Sequence, residues 1–335
     1  SSAQRLALSV ERSHFLICEG QVSEAQSLLF DVTAWPDIDK SSYFYASAIY
    51  QIGFTYDLRE QPERCGYYEQ AQALAEDKFS DVYLSATMGL ITNCEADSDA
   101  GERLGKMFIV LEKYSATKDY QALAHIHNSI GLVYGGLQQH VLAAEQYLKA
   151  HEMGLKVYTG SNQLTILISA ITSLFASGQY DRAYETIQEF ERINQNVGTP
   201  LTNFFYAYAL AGYYYRIEDI KKLKLNLPEL KRTAEQTSNP VFHNLSNWLQ
   251  TVPCVYEKDI QCLEDYLTQA EAEDSASMRF IGQNLEYQKF RVDIAIAMGD
   301  LQQAENTFAD YAKNFRASAQ KSQSSASILS VANLY

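Results

Sequence analysis

The sequence predicts an all-α solenoid of about eight helix hairpins, on three observations. Short, similar stretches recur about every 40 residues along the whole 335-residue chain. Apolar residues follow each of them four and seven positions later, which is one face of a helix. The chain has 16 Gly and 6 Pro, few for an all-β or linker-rich protein, and 47% hydrophobic residues from which to build a core. One hairpin cannot bury its apolar face alone, but stacked neighbours can, so a period of this length points to a repeat architecture.

The hairpins follow in order. GQVSEA, closing on Ala25, starts the second helix of the first pair. Gly53 and Tyr56 belong to the first helix of the second pair, and Cys65 marks its partner, although Tyr68 and Ala71 sit one residue early for that mark. Leu104, in DAGERLGKMFIVL, marks the third pair. HNSIGLVYGGLQQHVLAAEQYLKA holds the fourth, with Ala143, Tyr147 and Ala150 on one face. LTILISAITSLFASG and GQYDRA form the fifth, with Ala183, Ile187 and Phe190. EDIKKL gives Leu223, Leu227 and Leu230 in the sixth, and KDIQCL gives Leu263 in the seventh. GDLQQA closes the series with Ala304, Phe308 and Tyr311. The marks Ala183, Leu223, Leu263 and Ala304 lie 40, 40 and 41 residues apart.

In the fourth pair, Ile130-Gly131, Tyr134, Ala143, Tyr147 and Ala150 fall at the spacing of the tetratricopeptide repeat (TPR). Gly131 and Ala143 are small where two helices cross, and the two tyrosines fill the space beside them. The chain resembles that family over nearly its whole length, with a degenerate motif elsewhere and a period longer than the common one. The resemblance implies a right-handed superhelix whose concave face binds partners. It also implies a repeat domain over residues 1–316 and a helical connector over 317–335 leading to a further domain.

FFYAYALAGYYYRIED sharpens the question of what that face reads, because it places seven aromatic residues between Phe204 and Tyr215. Aligning Gly212 with Gly131 makes Tyr208 and Tyr215 core and turns Tyr206, Ala209, Tyr213 and Arg216 toward the groove. Burying an aromatic ring is worth roughly 4–6 kcal/mol at most, which explains core rings but not exposed ones. The competing expectation is that all seven rings pack between helices. The same projection places Tyr50, Phe54, His125, Asn128 and Lys289 in the groove, with His14 and Asp293. A mixed aromatic and polar groove suits a peptide, a protein segment or a small amphipathic ligand. The Lys/Asn/Arg clamp that some TPR proteins close on acidic tails is incomplete here.

The formal charge of −14 opposes binding to nucleic acid and to anionic membranes. IKKLKLNLPELKR is a local basic stretch that reads as a solvated helix face or, alternatively, a docking patch. No apolar run is long enough to span a membrane. Glycine-rich phosphate loops, GxSxG and HExxH are missing from the sequence. His125 and His127, two apart on a helix, make a poor metal pair. The expectation is therefore a non-enzymatic binder with no metal and no cofactor.

None of the five cysteines forms a CxxC pair. Cys254 and Cys262 flank one predicted αα turn, and Cys65 and Cys94 fall on neighbouring antiparallel helices, so two bridges are conceivable with Cys18 left over. Bridged Cα atoms lie within about 7 Å, whereas packed helix axes lie about 8–10 Å apart. Buried free cysteines are the alternative.

The first residues read as the middle of a helix, and an apolar stripe returns at Ile328, Leu329, Val331 and Leu334; both predict a piece of a longer chain. The final helix pair followed by a connector is similar to the repeat regions that precede GGDEF diguanylate cyclase domains. That resemblance implies a periplasmic sensor controlling an attached cyclase, with a homodimer formed through the C-terminal helix. The competing resemblance is to cytoplasmic MalT-like or peptide-sensing regulators. A passive interaction scaffold is a third reading.

Overall fold

The computed structural model describes residues 2–18, 21–59, 61–95, 99–157, 160–237, 240–272, 285–313 and 316. Among the described residues the protein is all-α, and sixteen helices follow one another in sequential hairpins with no strand. They are α1 (Ser2–Cys18), α2 (Val22–Thr33), α3 (Tyr43–Asp57), α4 (Arg64–Ala75), α5 (Ser80–Gly89), α6 (Ala100–Ser115), α7 (Tyr120–Gly136) and α8 (His140–Gly154). After them come α9 (Gly160–Ala176), α10 (Tyr180–Val197), α11 (Pro200–Arg216), α12 (Ile220–Glu235), α13 (Pro240–Glu257), α14 (Ile260–Ala272), α15 (Leu285–Met298) and α16 (residues 301–313). A π-helical turn, Leu90–Cys94, extends α5. The proposed connector and its apolar stripe lie outside the described residues.

The chain forms two compact units, residues 1–133 and 134–335. In the second unit one local device sets the repeat. Gln138, Gly178, Glu218, Lys258 and Gly299 all adopt positive φ, at 60°, 72°, 58°, 55° and 78°. Each ends the first helix of its hairpin in a Schellman motif. Its own N–H bonds three residues back, and the next N–H bonds five back, as Asp219 does to the Tyr214 carbonyl at 2.9 Å and Asp300 to that of Ala295 at 3.0 Å. The second helix starts two residues after the left-handed one, and the repeat mark lies three residues into it. Ala143, Ala183, Leu223, Leu263 and Ala304 are all buried there. Glycine enters this conformation freely, while Gln138, Glu218 and Lys258 bear a penalty of roughly 1 kcal/mol each.

Two cores fill this unit. One joins Leu164, Leu167, Ile171 and Leu174 of α9 to Ala183, Ile187 and Phe190 of α10. The other gathers Phe204, Leu223, Leu230, Trp248, Leu263 and Phe290 from α11 to α15. α11 belongs to both. Phe308, expected on the buried face of α16, is 55% exposed and lies against Tyr311 of its own helix.

The first unit packs Leu6 and Val10 of α1 with Leu29, Ile49, Ile52, Ala71 and Val82. Ala25 and Leu104 are buried, but Cys65 is only half-buried: α4 turns Tyr68, Ala71 and Ala75 inward, which accounts for their one-residue offset. The Tyr68 ring sits between α3 and α5, where a Cβ on Gly53 would meet it at 2.9 Å and one on Gly89 at 2.8 Å. Its hydroxyl donates to Asp57 at 3.0 Å, where Asn93 also donates and Arg64 pairs at 3.4 Å.

Both conceivable disulfides are present, Cys65–Cys94 with Cα atoms 5.6 Å apart and Cys254–Cys262 at 6.2 Å. Each joins two neighbouring helices close to a helix end, where the backbones approach. The first joins the opening turn of α4 to the π-helical turn, and the second closes the α13–α14 turn around Lys258.

Substituting Gly89→Ala should lower unfolding stability by about 1–3 kcal/mol, because the methyl must displace a ring held on both sides. A urea titration followed by circular dichroism checks this; an unchanged midpoint would show that the Tyr68 slot yields freely.

Candidate functional site

The second unit contains a groove of about 520 Å³ lined by the last turn of α11, the C-terminal half of α13 and the length of α15 from Lys289 to Ala297. The left-handed turns place its lining. Arg216, Tyr256 and Ala297 each lie two residues before the left-handed residue in register, and Tyr215, Val255 and Ile296 lie three before. Val252 and Phe290, both buried, form the floor. Tyr180, at the start of α10, is a further wall. Glu218 and Lys258, themselves the left-handed residues, carry charges at the rim with Lys289 and Asp293.

Several of these groups are held in place. The Arg216 guanidinium lies 4.2 Å over the Phe175 ring, and its Nη1 donates to the Gly212 carbonyl at 2.9 Å. Lys289 Nζ donates to Asp293 Oδ2 at 2.8 Å. Burial works against the Lys289 ammonium, but the hydrogen bond and charge of Asp293 outweigh it and raise its pKa. The Tyr256 phenol is half-exposed, and its pKa is pushed up by desolvation and then by the Glu218 carboxylate.

Two of the residues expected in a groove, Arg216 and Lys289, meet here, together with Asp293. Tyr206 and Tyr213 instead pack against α10: Tyr206 stacks on Phe190 with centroids 6.4 Å apart, and Tyr213 on Tyr184 at 4.8 Å. Burial raises the Tyr206 phenol, with help from Glu191. Ala209, expected at the groove, is 1% exposed, because that face of α11 is covered by α9 and α10. Phe204 is fully buried and stacks on Phe242 at 4.6 Å. Tyr208 packs beside it, and Tyr215 both contacts Trp248 and lines the groove. Most of the aromatic stretch thus packs between helices.

The remaining candidates belong to the first unit. Tyr50 stacks on Phe54 at 6.4 Å and on Tyr68 at 5.7 Å, and burial pushes its phenol up to about 12. His125 and Asn128 are half-buried on α7. The His125 Nε2 is shielded from solvent without a hydrogen bond, and burial pushes its pKa down to about 4.

Tyr256, Tyr180, Val255 and Ile296 were missed by the sequence reading. The signal for them was available: they hold fixed positions relative to the turn residues that begin GQYDRA, KDIQCL and GDLQQA. The basic stretch on α12 behaves as a solvated face, with Lys222 paired to Asp219, Lys224 to Glu257 and Arg232 to Glu229. Among the described residues there is no cluster able to hold a metal ion, and no helix long and apolar enough to cross a membrane.

This fold and groove define a TPR-like repeat domain. No family model matches the sequence. Among solved structures it is similar to the apo form of RapI, at 14% identity over 92% of this chain and 86% of that one, with a TM-score of 0.65. It is also similar to a Rap protein complexed with competence and sporulation factor, at 10% identity over 95% of this chain and 99% of that one, with a TM-score of 0.56. Identities this low establish the fold alone. The likeness is to Rap proteins, and the expected link to GGDEF-associated regions finds no support in it.

His125 should make the chain less stable in acid. Its folded pKa near 4 lies below the ordinary value of about 6.5, so between these limits the unfolded chain binds more protons. Stability is therefore full above about pH 6.5 and falls as the pH drops toward 4, with about 1–2 kcal/mol lost by pH 5. His125→Gln should flatten that slope in denaturant titrations at pH 7 and pH 5; an unchanged slope would assign it to other groups.

Proposed function

We propose that this chain is the peptide- or protein-binding TPR module of a regulatory protein, and that it takes a segment of its partner into the groove of α11, α13 and α15. The observation that carries this reading is the groove itself, with an apolar floor, phenolic walls and a charged rim supplied by three successive hairpins in one register. The similar Rap protein, solved with competence and sporulation factor, supports a peptide as the occupant. We read the chain as a sensor without catalytic activity of its own. Stacked hairpins share their buried faces with neighbours, so a change in one can be passed to the next.

We also propose that the domain works in an oxidising compartment such as the periplasm. The two disulfides support this, because such bonds persist in exported proteins and are rare where thiols are kept reduced.

Peptides selected by phage display against the folded chain should lose roughly tenfold in affinity on Tyr256→Ala while the melting temperature stays unchanged. Selected peptides indifferent to Tyr256→Ala and to Lys289→Ala would remove the groove as the binding site. Alkylating thiols in intact producing cells should leave four of the five cysteines unmodified until reduction. Modification of all five would overturn the compartment.

A further inference from the structure

We propose that Glu218 and Lys258 set the specificity of the groove: they take a peptide segment that carries a basic and an acidic residue about three positions apart with an apolar residue between them, and they fix the direction in which it crosses. This rests on the groove reading above and adds the chemistry of the occupant.

The two side chains stand where the backbone is least hospitable to them. Among the left-handed residues that end first helices in the second unit, Gly178 and Gly299 enter that conformation without cost. Gln138 is not glycine, but its side chain hydrogen-bonds to His140 at 3.0 Å. Glu218 and Lys258 bear the left-handed penalty with no side-chain hydrogen bond or ion pair among the described residues, and both line the groove. Glu218 is opposed a second time. Its carboxylate lies at the C-terminal end of α11, which is the negative end of the helix dipole. The hairpin itself gains nothing from a carboxylate there. A residue kept at such a cost without a local return points to a role outside the fold.

Their placement gives that role its geometry. α11 and α13 pack on each other, with Phe204 stacked on Phe242 and Tyr215 against Trp248. Equivalent positions at their ends therefore lie one helix spacing apart, about 8–10 Å. An extended segment advances about 3.3 Å per residue and covers that distance in about three residues. Between the two charges the lining is apolar, through Tyr215, Val252 and Val255. The Tyr256 phenol, raised first by desolvation, is raised further by Glu218, so the carboxylate acts on the next hairpin across the groove. The remaining rim charges are engaged: Lys289 donates to Asp293, and Arg216 lies over Phe175 and donates to the Gly212 carbonyl. A base on the segment then faces Glu218 at α11 while an acid faces Lys258 at α13. The reverse crossing would set like charges together.

Peptides selected by phage display on the folded wild-type chain are the probes, and calorimetry gives their affinities for the chain and its variants. The selected sequences should share a base, an apolar residue and an acid at that spacing. On a chain of net charge −14 a base alone would be enriched anywhere on the surface, so the acid is the informative half. Glu218→Gln should weaken a selected peptide about three- to fivefold, and replacing the base of the peptide by glutamine should remove that difference; Lys258→Gln and the acid of the peptide should behave in the same way. Glu218→Lys combined with Lys258→Glu should prefer the peptide with its two charged residues exchanged. Glu218→Gly should raise the urea midpoint of unfolding while weakening binding as Glu218→Gln does, and it serves if the glutamine variant does not fold. A lower midpoint for Glu218→Gly, selected peptides without an acid, or an exchanged variant that still prefers the original peptide would overturn the charge pair; a loss of affinity on Tyr256→Ala in the same series would leave the groove intact. Peptides indifferent to Tyr256→Ala as well would bind elsewhere, and the groove reading would fail with the charge pair.

Discussion

The left-handed residue that ends the first helix of each hairpin is the constraint on which the second unit depends. At Gln138, Gly178, Glu218, Lys258 and Gly299 the backbone turns back through the same pair of hydrogen bonds. Each turn starts the second helix two residues later and brings a small or apolar residue onto its buried face five residues on. The phase of every helix follows from that turn, and so does the register of the groove. Residues two and three before the turn face one space on α11, α13 and α15 because the turn repeats without slippage. A single inserted residue there would rotate the following helix by about 100° and carry its apolar face away from the core.

Shared burial is the second consequence. α11 has no solvent face of ordinary width. Phe204, Ala207 and Ala211 serve the core toward α13, while Ala209 with Tyr206, Leu210 and Tyr213 serves the core toward α9 and α10. This is why seven aromatic residues fit within one helix of a water-facing protein. Its last turn brings Tyr215 and Arg216 to the groove. Tyrosine suits both duties, since the ring packs and the hydroxyl stays near water or a polar partner.

The first unit solves the same packing problem with different parts. Its α4 inserts Tyr68 between two glycines and ties the ring to Asp57, where Asn93 and Arg64 also converge. The Asp57 carboxyl is raised by burial, and the hydrogen bonds from Tyr68 and Asn93 and the charge of Arg64 work against that rise. Asn93 belongs to the π-helical turn that also carries Cys94, so the Cys65–Cys94 bond and the Asp57 cluster fasten the same end of α5 to α4. The Cys254–Cys262 bond plays the corresponding part in the second unit. It closes the turn that holds Lys258, beside the stretch that supplies Val252, Val255 and Tyr256 to the groove.

The sequence by itself determined the architecture. The period near 40 and the apolar spacing within it are local properties of the chain, and helix hairpins are the one way to satisfy both. The marks from Ala143 to Ala304 are buried where that pattern places them, and the offset at Tyr68 and Ala71 was visible before its cause. Arg216 and Lys289 were legible as groove residues because a helix projection is accurate over one or two turns. Tertiary structure decided which neighbour covers which face. Projection cannot tell a groove from the adjoining hairpin, so Tyr206, Tyr213 and Ala209 were expected to face a groove and instead pack on α9 and α10. It also decided the disulfides, because bonding depends on a few ångströms between Cα atoms, and here a tight turn and a π-helical turn supply the approach that two ideal helices would not.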